Sequence, residues 1–155
     1  METDMKMTSG RIINILIISL FLAMMIGSVA SAAERVAVKA SIANLRNGAG
    51  TQNKVLWQVE KYHPFLVISK KKDWYEVKDF EGDTAWIHKS LLDKINAVIT
   101  VKSKCNVRGE PTTKSKVVLR VERGVPFKVL KKKGNWLKIE HADGEVGWIH
   151  NSLVW

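Results

Sequence analysis

The sequence predicts an all-β protein made of two tandem copies of one small domain, each of about five short strands in a partly closed barrel. Three observations predict it. Sliding the chain by 62 residues lays 36–93 on 98–155 without a gap, and 21 of the 58 positions are identical, so one module is written twice. Within each copy the apolar residues alternate with polar ones over short runs, the period of a strand with one buried face. Nothing from Glu34 to Trp155 holds a helical period for more than a turn.

Taken from the N-terminus, the first element precedes the fold. Lys6 and Arg11 stand before an uncharged apolar run over 12–26, and Ala30-Ser31-Ala32-Ala33 supplies small residues just before Glu34. This is the three-part layout of a secretory signal peptide, assigned to residues 1–33. Its apolar run of about 15 residues falls short of the ~20 that span a bilayer. Glu2 and Asp4 are out of place in a positive leader end, and a start at Met5 or Met7 would remove both. No Cys lies near the cleavage site to take a lipid. The expected location is therefore periplasmic or extracellular.

The first copy, 34–93, begins with Asn44-Leu45-Arg46 and continues through Val55, Trp57 and Val59, then Phe65 and Val67. Next come Trp74 and Glu76 on one face with Tyr75 and Val77 on the other, and last Trp86-Ile87. Polar turns over 48–53, 61–63, 70–73 and 81–83 separate these runs, and Glu-Gly-Asp between two strand-like runs is a hairpin signal. The second copy, 98–155, repeats the pattern with turns at Gly124, over 131–135, and at Asp143-Gly144-Glu145. Residues 94–97 form a short linker without Gly, Ser or Pro, which predicts abutting domains.

After the leader, 23 Lys and Arg face 13 Asp and Glu, so the exported part keeps the whole net charge of +10 and favours anionic partners. An exported protein meets little nucleic acid, so nucleic acid is not the expected partner, and acidic glycopolymers, peptidoglycan carboxylates and lipid phosphates come before it. The charge is uneven. Copy one has 9 basic and 7 acidic residues, copy two 12 and 5, while copy one holds seven aromatics against four. Cys105 has no internal partner and falls where copy one has Ala43, on the Val107 face of a strand, which predicts a buried thiol. An intermolecular disulfide is the alternative.

Each copy resembles a bacterial SH3 (SH3b) domain. The residues that carry the resemblance are Asn44-Leu45-Arg46 with Gly48, Asn106-Val107-Arg108, the Trp opening a central strand (Trp74, Trp136), and the endings Trp86-Ile87-His88-Lys89-Ser90-Leu91-Leu92 and Gly147-Trp148-Ile149-His150-Asn151-Ser152-Leu153-Val154. The resemblance implies an SH3-like barrel, an exported or wall-associated setting, and binding of cell-wall peptides or glycans, often beside a hydrolase. Where eukaryotic SH3 domains place the Pro and final Tyr of their proline-peptide groove, this chain has His88 and Leu91, and His150 and Leu153. Proline-rich peptide binding is therefore not expected.

No catalytic set is expected. Cys105 with His141 and His150 has the chain order of a Cys-His hydrolase, but a thiol inside a strand lacks the exposed, electropositive setting such chemistry needs. His88 and His150 lack second ligands at metal spacing and read as turn histidines; no metal or other cofactor is expected. Trp86 and Trp148 are expected in the core. The candidate ligand contacts are the aromatics Trp74, Tyr75, Tyr62 and Trp136, the cations Arg46 and Arg108, and Lys131, Lys132 and Lys133 at a hairpin tip. Arg46 and Arg108 have the competing task of tying down the first loop. Together these residues predict a non-catalytic binder of cell-wall peptide, glycan or other anionic envelope material. The alternative is an envelope adaptor that recruits a separate hydrolase or membrane complex.

Overall fold

Which residues are buried follows from the two-residue period. In Thr84–His88, Ala85 and Ile87 point inward while Thr84, Trp86 and His88 point outward, and Val146–His150 repeats this with Gly147 and Ile149 inward. The structure, a computed structural model, describes residues 33–155. The export signal expected over 1–33 lies, apart from Ala33, outside the described residues. Among the described residues no helix is long and apolar enough to cross a membrane.

Copy one contributes β1 (Arg35–Val38), β2 (Ile42–Arg46), β3 (Val55–Glu60), β4 (Pro64–Lys71), β5 (Trp74–Lys78), β6 (Thr84–His88) and β7 (Leu92–Asp93). Copy two contributes β8 (Ala97–Ile99), β9 (Cys105–Arg108), β10 (Val117–Val121), β11 (Pro126–Lys133), β12 (Trp136–Glu140) and β13 (Val146–His150). The first sheet runs β3-β2-β6-β5-β4-β1-β7 and the second β10-β9-β13-β12-β11-β8, and every named pairing is antiparallel. The fold is thus all-β, as expected, with one or two strands more per copy. The β1–β7 pairing of Val38 with Leu92 survives in copy two as the single bridge from Thr100 to Val154.

Each sheet curls around its own apolar cluster. Val36, Val38, Leu45, Phe65, Val77 and Ile87 fill the first, and Cys105, Val107, Phe127, Ile139 and Ile149 the second. Phe65 and Phe127 are the largest fully buried side chains, and truncating either to Ala would cost about 3–5 kcal/mol.

Only residues 94–96 separate β7 from β8, so the copies abut. Ala37, Tyr62 and Ala97 form a buried cluster between them, joined by Ile95. The Tyr62 hydroxyl donates to Glu140 at 3.3 Å. Arg123 pairs with Glu81 at 3.0 Å, donates to the Val101 carbonyl and lies over the Phe80 ring. Arg35 stacks on Trp155 at 3.9 Å, and burial lowers its pKa. Tyr62 sits in the left-handed region (φ 71°), where copy two has Gly124 (φ 86°).

Candidate binding face

Strand register assembles side chains that are distant in sequence. Residues paired across antiparallel strands point to the same face. In copy one, Trp86 is opposite both Arg46 on β2 and Glu76 on β5, and Glu76 is opposite Ser69 on β4. This makes an outward row Arg46–Trp86–Glu76–Ser69. The next row holds His88, Trp74 and Lys71. Copy two repeats the arrangement as Arg108–Trp148–Lys138–Lys131 and His150–Trp136–Lys133.

Several details of the face recur in both copies. Trp74 meets His88 edge to face at 5.3 Å and 83°, and Trp136 meets His150 at 5.4 Å and 87°. Each His Nδ1 binds the hydroxyl two residues on, Ser90 at 2.7 Å and Ser152 at 2.8 Å, and accepts that residue's backbone N–H. In this way it caps a short 3₁₀ turn, over Lys89–Leu91 or Asn151–Leu153. The arginines tie down the first loop. Arg46 donates to the Asn53 carbonyl at 2.7 Å and to Thr51 at 3.1 Å, and Arg108 donates to Ser115 at 2.7 Å.

Four expectations change. Trp86 and Trp148 are not core residues: they are half-buried on the outer face, because the smaller Ile87 and Ile149 take the inward positions. Tyr62 is no surface contact, since it is buried at the junction between copies. Tyr75 directly follows Trp74 in β5, so it points to the opposite face and packs on the first core, with Lys70 over its ring at 4.6 Å. Lys131, Lys132 and Lys133 are not a hairpin tip but the end of β11. Lys131 and Lys133 face outward with Lys138 and Trp136, while Lys132 pairs with Leu137 on the opposite face. Lys138 and Arg120 were missed, and only the strand pairing could have found them.

Away from this face, Cys105 is buried, and burial raises its thiol pKa; the sulfur lies 3.5 Å from the Lys102 carbonyl. At the β12–β13 turn His141 Nδ1 lies 3.3 Å from both Asp143 and Glu145, a cluster the sequence reading passed over. The His141 backbone N–H also donates to the Glu145 carbonyl, so the cluster belongs to the turn's own hydrogen bonding. A cleft of ≈ 380 Å³ beside the junction is lined by Trp57, Glu60, His63, Asp79, Phe80 and Gly124, among others.

The profile of the family described as "Bacterial SH3 domain" matches twice, over residues 39–94 and 101–155. The chain is 22% identical over 122 residues to the "Putative N-acetylmuramoyl-L-alanine amidase YrvJ" of Bacillus subtilis (strain 168), covering 72% of this chain and 23% of that protein. It is 31% identical over 61 residues to the "Probable cell wall amidase LytH" of Staphylococcus epidermidis, covering 39% of this chain and 21% of that one. The chain thus spans less than a quarter of the length of these relatives. Among solved structures, an NlpC/P60 family protein from Bacillus cereus ATCC 10987 overlays with a TM-score of 0.39 at 15% identity, covering 79% of this chain and 56% of the other.

Proposed function

The chain belongs to the bacterial SH3 domain family, and on that premise we propose that it is an exported, non-catalytic binding protein for a repeating polymer of the cell envelope, peptidoglycan or another anionic wall polymer. One observation carries the reading. The outward constellation of two tryptophans, a capping histidine and a loop-pinning arginine occurs twice, 62 residues apart, on a chain whose copies abut. A repeated contact suits a repeated ligand, because a second site engaged on the same polymer acts at high effective concentration. Tryptophan faces supply flat apolar area for a sugar ring or peptide, and neighbouring cations supply charge for carboxylates. The amidase names of two relatives that share the module are in keeping with a wall-directed role. A separate enzyme would supply any cleavage, since Cys105 is buried with a raised thiol pKa.

Pull-down with isolated sacculi tests this. The protein is expected to be retained, Trp74→Ala and Trp136→Ala are each expected to weaken retention several-fold, and the double variant by more than the product. No retention of the folded protein would sink the reading and favour the adaptor role, with a protein as the partner.

A further inference from the structure

The net charge of copy two exceeds that of copy one by five, and the sheet register shows where most of the difference lies. Where copy one has Gln58, Ser69 and Glu76, copy two has Arg120, Lys131 and Lys138. These three replacements account for four of the five charges, and all three fall on the outward Trp face. Lys138 is opposite both Lys131 and Trp148, Trp148 is opposite Arg108, and Arg120 is opposite Asn106, which shares a face with Arg108. Neighbouring strands lie about 4.8 Å apart, so Trp148 has a cation about 5 Å to either side and a further one about 10 Å away. Lys133 extends the array beside Trp136.

The same positions in copy one satisfy one another. Ser69 donates to Glu76 at 2.7 Å and Gln58 donates to Asn44 at 2.8 Å. In copy two, Arg120, Lys131, Lys133 and Lys138 have no salt bridge or side-chain hydrogen bond among the described residues. Glu140, the acid further along β12 on this face, accepts the Tyr62 hydroxyl. Lys131 and Lys138 are a directly opposed like-charge pair, an arrangement that destabilises a sheet unless an anion lies between them.

We propose that the outward face of β9, β12 and β13, with Lys131 and Arg120 at its two sides, is a binding surface for an acidic glycan. A sugar ring lies on Trp148, and the glycan's carboxylates or phosphodiesters lie against Lys138, Lys131, Arg108 and Arg120. Charge complementarity selects this occupant: Lys138, without an ion-pair partner among the described residues, and the loop-pinning Arg108 flank a flat aromatic at intervals near those of charged groups along a sugar chain. Copy one, with Glu76 and Ser69 hydrogen-bonded to each other in the row, lacks this charge. The inference rests on the envelope-binding reading and assigns its charged half to one face.

The test uses Arg120→Gln/Lys131→Ser/Lys138→Glu, which restores residues or charge types that copy one already carries at the same register positions. A charge-matched control, Lys102→Gln/Lys114→Gln/Lys116→Glu, alters exposed lysines outside the paired rows. The probes are polygalacturonate oligomers, dextran of equal length, and phosphatidylglycerol vesicles. Wild type is expected to bind polygalacturonate and not dextran. The face variant is expected to bind at least tenfold more weakly with a flattened salt dependence, and the control within twofold of wild type. Adding Gln58→Arg/Ser69→Lys/Glu76→Lys to the face variant is expected to restore binding through copy one. Equal losses in both triple variants, or binding to vesicles with none to polygalacturonate, would overturn the proposal. Retention of the face variant on sacculi separates the two readings: it leaves the envelope role standing even if this face fails.

Discussion

Gly147 in β13 lies against Val107 in β9 with no room for a methyl group between them. A Cβ there would overlap Val107 Cγ1 and stand 3.0 Å from the Arg108 carbonyl. Copy one nevertheless buries Ala85 at the matching position, and it has Leu45 where copy two has Val107. Leucine branches one carbon further out and leaves the space beside its Cβ free. Gly147→Ala is therefore expected to destabilise by about 1–3 kcal/mol, and Val107→Leu/Gly147→Ala to recover most of that loss. Denaturant unfolding of the four proteins in the cycle measures it, and simple additivity would refute the coupling.

His63 sits in the first copy with Nε2 buried and without a hydrogen-bond partner among the described residues, packed at 4.8 Å from the Phe65 ring. Burial lowers its pKa to about 4, against a smaller opposing pull from Asp79 and Glu81. The unfolded chain therefore takes up a proton near pH 6.5 that the folded one refuses until about pH 4. Stability is expected to fall as pH drops through that window, by roughly 3 kcal/mol in full, and to lose no more from this group below it. Copy two has Val125 at the same position, so His63→Val is the matched variant. Unfolding at a series of pH values should show its stability flatter between pH 6.5 and pH 4, and an unchanged slope would refute the assignment.

Lys72 occupies the left-handed region at φ 55°, and its counterpart Gly134 has φ 56°. A side chain there costs about 1 kcal/mol relative to glycine. Lys72→Gly is expected to stabilise the protein by ~1 kcal/mol and Gly134→Lys to destabilise it by a similar amount. Paired thermal melts measure both, and a loss on Lys72→Gly would show that the turn is not strained.

The repeat, the all-β class and the alternation of each strand were legible because they are local or self-referential. A two-residue period says which residues share a face without saying which face is buried. Trp86-Ile87 illustrates the gap: one of the two had to point outward, and a small core closes better over isoleucine than over indole. Like charges in a row read as an exposed turn, yet pleating sends Lys132 to the side opposite Lys131 and Lys133. Tyr62 lies in a polar turn and is buried in a cluster with Ala37 of its own copy and Ala97 of the other. Lys138 joined the candidate face only when the strand pairing was known, since its place depends on β11 and β13 and not on its sequence neighbours.

The junction is a head-to-tail contact, the kind that extends into an open array if every unit carries both halves of it. Here the halves are not shared. The projecting Tyr62 of the first unit is replaced by Gly124 in the second, and the accepting Glu140 of the second is replaced by Lys78 in the first. A third unit docked behind the second would meet a glycine where it needs a phenol, and one docked ahead of the first would meet a lysine where its tyrosine needs a carboxylate. A further unit stacked through this contact would therefore lack the phenol–carboxylate hydrogen bond that joins the first two.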